Sequence, residues 1–136
     1  HGTPRTPEDL VQHRFIVLVT AAGPLNEFHF SKGDRSWRYT VPMADAWESN
    51  DGAQVRAWTL AGRGIARKTI WDAAEDLRAG RLQVLLPDYV AREAGVYALR
   101  HGTRYMTPRL RAFLDFLVVQ FACETTSLSD VFPFKE

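Results

Sequence analysis

Residues 47–86 read WESNDGAQVRAWTLAGRGIARKTIWDAAEDLRAGRLQVLL, and this stretch decides the fold class. The pattern predicts a strand, a helix, a second strand, a second helix and a third strand in succession. Asn50 and Thr69 are placed to cap the two helices, and Gly62 and Gly80 are placed to end them. Such an alternation is typical of an α/β protein whose sheet is mostly parallel. It also directs unpaired N–H groups of both helix starts toward one edge of the sheet, where a small anion or polar ligand can bind.

The segments on either side add further strands. Residues 15–19 are a continuous apolar run, FIVLV, which predicts a strand covered on both faces. Residues 27–41 predict a hairpin that turns at 32–34 and keeps one face in water, because apolar and polar residues alternate along its second half. Residues 82–86 are the third strand of the 47–86 stretch, and residues 96–100 predict one further strand.

The first two helices carry small apolar residues at helical spacing. In the first helix, one stripe is expected to face the core, and it consists of Ala53, Ala57, Leu60 and Ala61. In the second helix, Ala73 and Ala74 are expected to do so. The acidic residues of the second helix form a polar face that we expect to find in water: Asp72, Glu75 and Asp76.

The last helix is predicted from Pro108 to about Ala122 and has apolar residues on two sides. Two apolar faces on one helix imply burial against two surfaces, so we expect another copy or further chain to cover the main one. That main face consists of Leu110, Phe113, Leu114, Leu117 and Phe121.

Composition and charge exclude several classes of protein. The chain has 136 residues, of which 46% are hydrophobic and 24% charged, which suits one domain with a core and excludes a disordered or fibrous protein. A net charge of +1 provides no overall positive field for nucleic acid. No apolar run approaches the length that spans a membrane. The single cysteine, Cys123, cannot form an internal disulfide, which fits a reducing compartment.

Residues that carry catalysis or metal binding are not grouped in the sequence. The histidines are scattered at positions 1, 13, 29 and 101, so we predict no metal site and no cofactor. No nucleophile stands beside a base, so we predict a binding protein rather than an enzyme. The sequence begins HGTPRTPEDL, without a methionine, and is expected to be a piece of a longer protein.

Four phrases of the sequence resemble, in order and spacing, the LysR-type transcriptional regulators. They are GTPRTPEDLVQHRFIVL, SNDGAQVRAWTLAGRGIA, WDAAEDLRAGRLQVLLPDY and TPRLRAFLDFLVVQF. The resemblance covers about residues 1–122 and is to the effector-binding (regulatory) domain of that family.

The resemblance implies a fold like that of type 2 periplasmic binding proteins, in which two α/β subdomains joined by two crossover strands enclose an effector. Residues 1–95 would form the second subdomain. Residues 96–122 would supply the returning crossover strand and the C-terminal helix of the first subdomain, and residues 123–136 a C-terminal tail. The family's winged helix-turn-helix and most of the first subdomain would lie outside this sequence.

In that geometry ligands bind where strands end and helices begin along the cleft. Many effectors of the family are small organic acids, which a cation and a helix N-terminus can bind together. At positions 67–69 the family more often has apolar residues and a proline, so the resemblance transfers no particular effector. The candidate effector-binding residues are Thr20, Ala21, Asn50, Asp51, Gly52, Arg67, Lys68 and Thr69.

Most of these residues also have a purely structural interpretation. Asn50 is explained as a helix cap without any ligand, and Thr20 as an ordinary loop threonine. Arg67 and Lys68 are explained as solvated surface cations.

The resemblance implies the small-molecule-sensing domain of a cytoplasmic transcription regulator. Such a protein would self-associate as a dimer or tetramer and contact DNA only through its missing N-terminal domain. The alternative is a solute-binding protein of a transport system with the same fold. Residues upstream of His1 distinguish the two, because a helix-turn-helix indicates a regulator and a cleavable signal indicates a transport protein.

Overall fold

The computed structural model describes residues 2–91, 97–98 and 106–128. The chain divides into two compact units, residues 1–92 and 93–136. The first unit contains, in chain order, β1 (Phe15–Thr20), β2 (Gly23–Pro24), β3 (Glu27–Lys32), β4 (Arg35–Thr40), β5 (Trp47–Ser49), α1 (Gly52–Leu60), β6 (Ile65–Ala66), α2 (Ile70–Arg78) and β7 (Val90–Ala91). Short 3-10 helices lie at Pro7–Gln12 and Met43–Asp45. The second unit contains α3 (Pro108–Leu128).

A small parallel sheet forms the centre of the first unit. Ile16 of β1 is the register partner of both Trp47 in β5 and Ala66 in β6, so β1 lies between two parallel neighbours. The end of β1 also pairs antiparallel with β2, with Thr20 beside Gly23. The predicted mostly parallel sheet with β1 as a buried strand is confirmed.

A second, antiparallel sheet is built from the predicted hairpin. Strands β3 and β4 pair from Glu27 with Thr40 to Lys32 with Arg35, and β7 pairs antiparallel with β3. In β4 the residues between Trp37 and Tyr39 and on either side of them are exposed, whereas these two aromatic side chains are partly buried. The predicted wet face is therefore present.

The core lies between β1 and the hairpin. Phe15 and Val17, on one face of β1, form a buried cluster with three other side chains. The Phe15 ring centre lies 5.4 Å from the ring centres of both Phe28 and Tyr39. Burying each large apolar side chain of this kind stabilises the fold by roughly 1.5–3 kcal/mol. The remaining members of the cluster are Leu10, Val41 and Leu86.

The inward face of α1 differs from the sequence prediction. Ala53 and Ala57 are exposed, whereas Val55 is 1% exposed and α1 packs on β1. The prediction for α1 was wrong because Val55 lies about 200° around the helix from both alanines, so a helix that buries Val55 turns Ala53 and Ala57 toward water. In α2 the predicted inward residues, Ala73 and Ala74, are buried.

Residues 82–86 do not form the predicted strand. Leu86 has a φ of 54°, which lies in the left-handed region and is incompatible with a strand. Its side chain is 5% exposed in the core cluster, and its carbonyl accepts a hydrogen bond from the Tyr89 N–H. The segment therefore turns to place Leu86 in the core instead of extending along the sheet.

Helix α3 is longer than predicted, and part of its apolar surface is exposed, although Leu110, Leu114 and Leu117 are half-buried. It ends at Leu128 rather than near Ala122, because no proline or glycine interrupts residues 109–128. Phe113 is 56% exposed and Phe116 is 57% exposed.

The predicted return strand, 96–100, lies largely outside the described residues, and the subdomain boundaries at 95 and 122 stay a prediction. Among the described helices, none is both long and apolar enough to cross a membrane.

Candidate functional site

An open cavity lies where β1 ends beside the start of α1. Its volume is about 500 Å³, and its lining consists of Leu18, Val19, Thr20, Ala21 and Asn50. Leu18 is the parallel register partner of Ser49, so β1 and β5 deliver the residues that follow them to the same edge of the sheet. Three of the predicted candidate residues, Thr20, Ala21 and Asn50, are brought together here.

Thr20 fixes the turn that borders this cavity. Its Oγ1 donates a hydrogen bond to the Gly23 carbonyl at 2.9 Å and accepts one from the Ala22 N–H at 3.2 Å. The hydroxyl thus has a structural role in the turn, while the residue remains exposed in the cavity lining.

The cap of α1 is Asp51 rather than Asn50. An Asp51 carboxylate oxygen accepts a hydrogen bond from the Ala53 N–H at 2.8 Å, and Ser49 Oγ accepts one from the Asp51 N–H at 3.0 Å. The prediction that Asn50 caps this helix was wrong, because Asp51 is one residue closer to the N–H that needs an acceptor. Asn50 is consequently left exposed at the cavity.

Arg67 contacts the hairpin. Its guanidinium donates a hydrogen bond to the Glu27 carbonyl at 3.0 Å and lies 5.8 Å from the centre of the Phe28 ring. A guanidinium carries five N–H donors, so this bond does not exhaust its capacity.

Lys68 lies between the starts of α1 and α2. Its Nζ donates a hydrogen bond to the Gly52 carbonyl at 3.1 Å and forms an ion pair with Asp72. The Lys68 side chain is only 14% exposed, which separates it from an ordinary solvated lysine. Thr69 occupies the N-cap position of α2 but makes no capping hydrogen bond with its side chain.

The lining of the cavity carries no charged side chain among the described residues. The candidate residues outside that lining are Asp51, Gly52, Arg67, Lys68 and Thr69. A threonine hydroxyl and an asparagine amide can donate and accept hydrogen bonds but do not perform acid–base chemistry near neutral pH. The cavity is therefore suited to holding a polar group.

A buried charge that the sequence prediction missed lies on α2. Asp76 is 0% exposed, and its two oxygens accept hydrogen bonds from Arg56 at 2.7 and 2.9 Å and from Arg81 Nε at 2.8 Å. The hydrogen bonds from Arg56 hold the pKa of Asp76 below its ordinary value, with a smaller contribution from Arg81 and against the opposing effect of burial. The expectation of a solvated Asp76 was wrong. Its spacing from buried Ala73 gave a usable signal, since residues three apart share a helix face.

The described residues contain no group of three or more histidine, cysteine, aspartate or glutamate side chains arranged to hold a metal ion. Cys123 is a free, exposed thiol on α3.

The model of the LysR substrate binding domain family matches residues 1–122 of this chain. The HTH-type transcriptional activator TtdR of Escherichia coli K12 is 29% identical over 114 residues, which are 84% of this chain and 36% of the relative. The HTH-type transcriptional regulator DmlR of the same strain is 29% identical over 124 residues, which are 90% of this chain and 39% of the relative. The chain thus spans well under half the length of these curated relatives.

A solved structure shows the same fold. The regulatory domain of AphB in Vibrio vulnificus superposes with a TM-score of 0.65 at 21% sequence identity, covering 88% of this chain and 58% of that chain. Together with the family match, this likeness confirms the predicted fold class, an α/β architecture of the periplasmic-binding-protein type.

Proposed function

The chain belongs to the LysR substrate-binding domain family, and on that premise we propose that it senses a small organic effector for a cytoplasmic transcription regulator. The observation that carries the proposal is the cavity at the end of β1, where Thr20, Ala21 and Asn50 meet. DNA would be contacted by another part of the full protein. That assignment agrees with a net charge of +1 on this chain.

The proposed effector contacts have different roles. Asn50 and Thr20 would bind polar groups of the effector through hydrogen bonds, and Ala21 would leave room for it. Asp51 and Gly52 form the start of α1 beside this cavity, and Lys68 lies against Gly52. Arg67 and Lys68 would contribute positive potential beside the start of α2, where Thr69 is the N-cap residue, rather than line the cavity.

A carboxylate is the effector class that this arrangement favours. Two helix N-termini and two cations lie on this side of the sheet, and each favours a negative group nearby. Asp51 and Asp72 offset part of that potential, because the first caps α1 and the second pairs with Lys68. A small acid that also offers hydrogen-bonding groups to Asn50 and Thr20 satisfies both features.

Effector binding would act on an oligomer. The exposed side chains of Phe113 and Phe116 on α3 supply apolar surface that a dimer or tetramer, or further chain of the same protein, would cover. A ligand that binds one arrangement of such an assembly more tightly than another shifts the population between them.

Thermal-shift measurements on the full-length protein test the proposal. The panel consists of acetate, succinate, benzoate, glycine and glutamate. Each is titrated to about 10 mM, so that binding with a millimolar dissociation constant is still detected. Binding to the native state raises the melting temperature with ligand concentration. We expect at least one carboxylate to do so in the wild-type protein.

Thr20→Val is the test variant, with Thr40→Val as its matched control. Both threonines are exposed and end a strand, but only Thr20 lines the cavity. The shift should fall for Thr20→Val and persist for Thr40→Val. A panel without any shift in the wild-type protein would contradict the proposal for this ligand class.

The transport protein is the weaker candidate. The named relatives are HTH-type transcriptional regulators, and the family model is that of LysR proteins. That relationship favours a regulator over a solute-binding protein and over an enzyme. Sequence upstream of His1 that encodes a cleavable signal instead of a helix-turn-helix would favour transport.

A further inference from the structure

Helices α1 and α2 are joined by side chains at two levels. At the first level Lys68 binds the Gly52 carbonyl and pairs with Asp72. At the second level Arg56 makes a two-pronged hydrogen bond to Asp76, with Nε and Nη2 on different carboxylate oxygens. Gly52 and Arg56 are one turn apart on α1, and Asp72 and Asp76 are one turn apart on α2. The matching spacing keeps the two helix starts side by side.

The second level is geometrically demanding. Asp76 is fully buried and accepts from Arg56 at 2.7 and 2.9 Å, while Arg81 approaches one of the same oxygens at 2.7 and 2.8 Å. A buried carboxylate is tolerated when both of its oxygens are satisfied with good geometry. The planar guanidinium of Arg56 meets this requirement in one orientation, which restricts the rotation of α1.

From this geometry we propose that Arg56 and Asp76 are positioning residues for effector binding. They hold α1 so that Asn50, just before its first turn, lines the cavity together with Thr20. Neither Arg56 nor Asp76 belongs to that lining, so their effect would pass through the backbone of α1. The inference rests on the proposed function, because it concerns the same cavity.

Arg81 provides a matched control. It donates to the same carboxylate as Arg56, but it follows α2 and is not part of α1. Arg56→Gln and Arg81→Gln each remove one guanidinium from Asp76, whereas only Arg56→Gln removes a contact made by α1. Both variants are made in the full-length protein and compared at equal distance below their melting temperatures, so that general loss of stability affects them alike.

Amide hydrogen exchange of residues 53–57 is the deciding measurement. Arg56→Gln should accelerate exchange there at least tenfold relative to the wild-type protein, and Arg81→Gln less than twofold. Arg56→Lys, which keeps the charge without the planar fork, should give an intermediate rate and replaces Arg56→Gln if that variant does not fold. Equal exchange in the Arg56 and Arg81 variants, or no change in either, would overturn the inference.

The thermal-shift panel supplies the second measurement. The carboxylate shift of the wild-type protein should fall at least fivefold in Arg56→Gln and persist in Arg81→Gln; equal loss in both would overturn the inference. If acetate, succinate, benzoate, glycine and glutamate all leave the wild-type melting temperature unchanged, the proposed function fails. The exchange rates then still decide whether Arg56 positions α1.

Discussion

Strand β1 and helix α3 are both strongly apolar, yet the fold treats them in opposite ways. Phe15, Ile16 and Val17 of β1 are 1–2% exposed, whereas Phe113 and Phe116 of α3 are more than half exposed. The same contrast holds for charge on α2, where Asp76 is fully buried and Asp72 is 48% exposed. Residue type alone does not decide burial. A side chain is buried where neighbouring residues supply matching groups: apolar side chains for Phe15, and arginine donors for Asp76.

The largest expected effect separates the two apolar elements. Phe15→Ala should destabilise the chain by about 3–5 kcal/mol, because it removes a buried ring that packs on Phe28 and Tyr39. Phe116→Ala should cost less than about 1 kcal/mol, because that ring is already in water. Urea denaturation of the two variants measures the difference. The comparison applies to this chain as a monomer, because a second copy or further chain would cover Phe116; equal losses in the monomer would mean that the contrast does not hold.

A smaller effect tests how closely the backbone of β1 and β6 is packed. A Cβ atom on Gly64 would lie 2.7 Å from the carbonyl oxygen of Arg14, which accepts the Ile65 N–H. Gly64→Ala should therefore cost about 1–3 kcal/mol. Gly62→Ala should cost roughly 1 kcal/mol, because Gly62 has a φ of +69° but open space around it. Urea midpoints in which Gly62→Ala is the more damaging change would contradict this assignment of close packing.

The sequence predicted the elements whose pattern is local. The apolar run of β1, the hairpin and the positions of α1 and α2 follow from periodicity and from Gly62 and Gly80, both of which have positive φ. The position of the cavity was also predictable from the sequence, because residues that follow parallel strands meet at one edge of the sheet. Thr20, Ala21 and Asn50 meet there.

Features that depend on distant partners could not be predicted locally. Asp76 is buried because Arg56, twenty residues earlier, reaches it. Leu86 leaves the strand conformation because the core cluster has a place for its side chain. The wrong prediction of the α1 cap has a local cause. Asn50 and Asp51 are both favoured N-cap residues, so the sequence alone does not distinguish between these two neighbouring positions.

Acid titration tests the contrast between the buried Asp76 and the exposed Asp72. The lowered pKa of Asp76 means that the folded state binds its proton less readily than the unfolded chain does. Its contribution to stability is present above the ordinary aspartate pKa of about 4 and is lost as the pH falls through the lower folded value. Asp76→Asn should lower stability at pH 7 and flatten the decline in acid.

Asp72→Asn is the control for that titration. Asp72 pairs with Lys68 but is nearly half exposed, so Asp72→Asn should lower stability at pH 7 much less than Asp76→Asn does. Circular dichroism of thermal unfolding between pH 7 and pH 2 gives both profiles. If the stability of the two variants depends on pH in the same way, the buried Asp76 contributes no more to stability than the exposed Asp72 does.

The smallest expected effect concerns the turn beside the cavity. Thr20→Val removes two exposed hydrogen bonds within residues 20–23, so it should cost no more than about 1 kcal/mol. Thr40→Val should change stability by less than about 0.5 kcal/mol. Urea unfolding measures the free energy of unfolding of both variants. A loss of several kcal/mol in Thr20→Val would mean that this variant weakens ligand binding by destabilising the fold rather than by removing a ligand contact.

The proposed effector site lies at the end of β1 beside the start of α1. Amide hydrogen exchange of the full-length protein, with and without the panel carboxylate that raises its melting temperature most, tests it directly. We expect protection at residues 18–22 and 50–53, with residues 27–40 of the hairpin unchanged. Protection confined to the hairpin, with residues 18–22 and 50–53 unaffected, would contradict it.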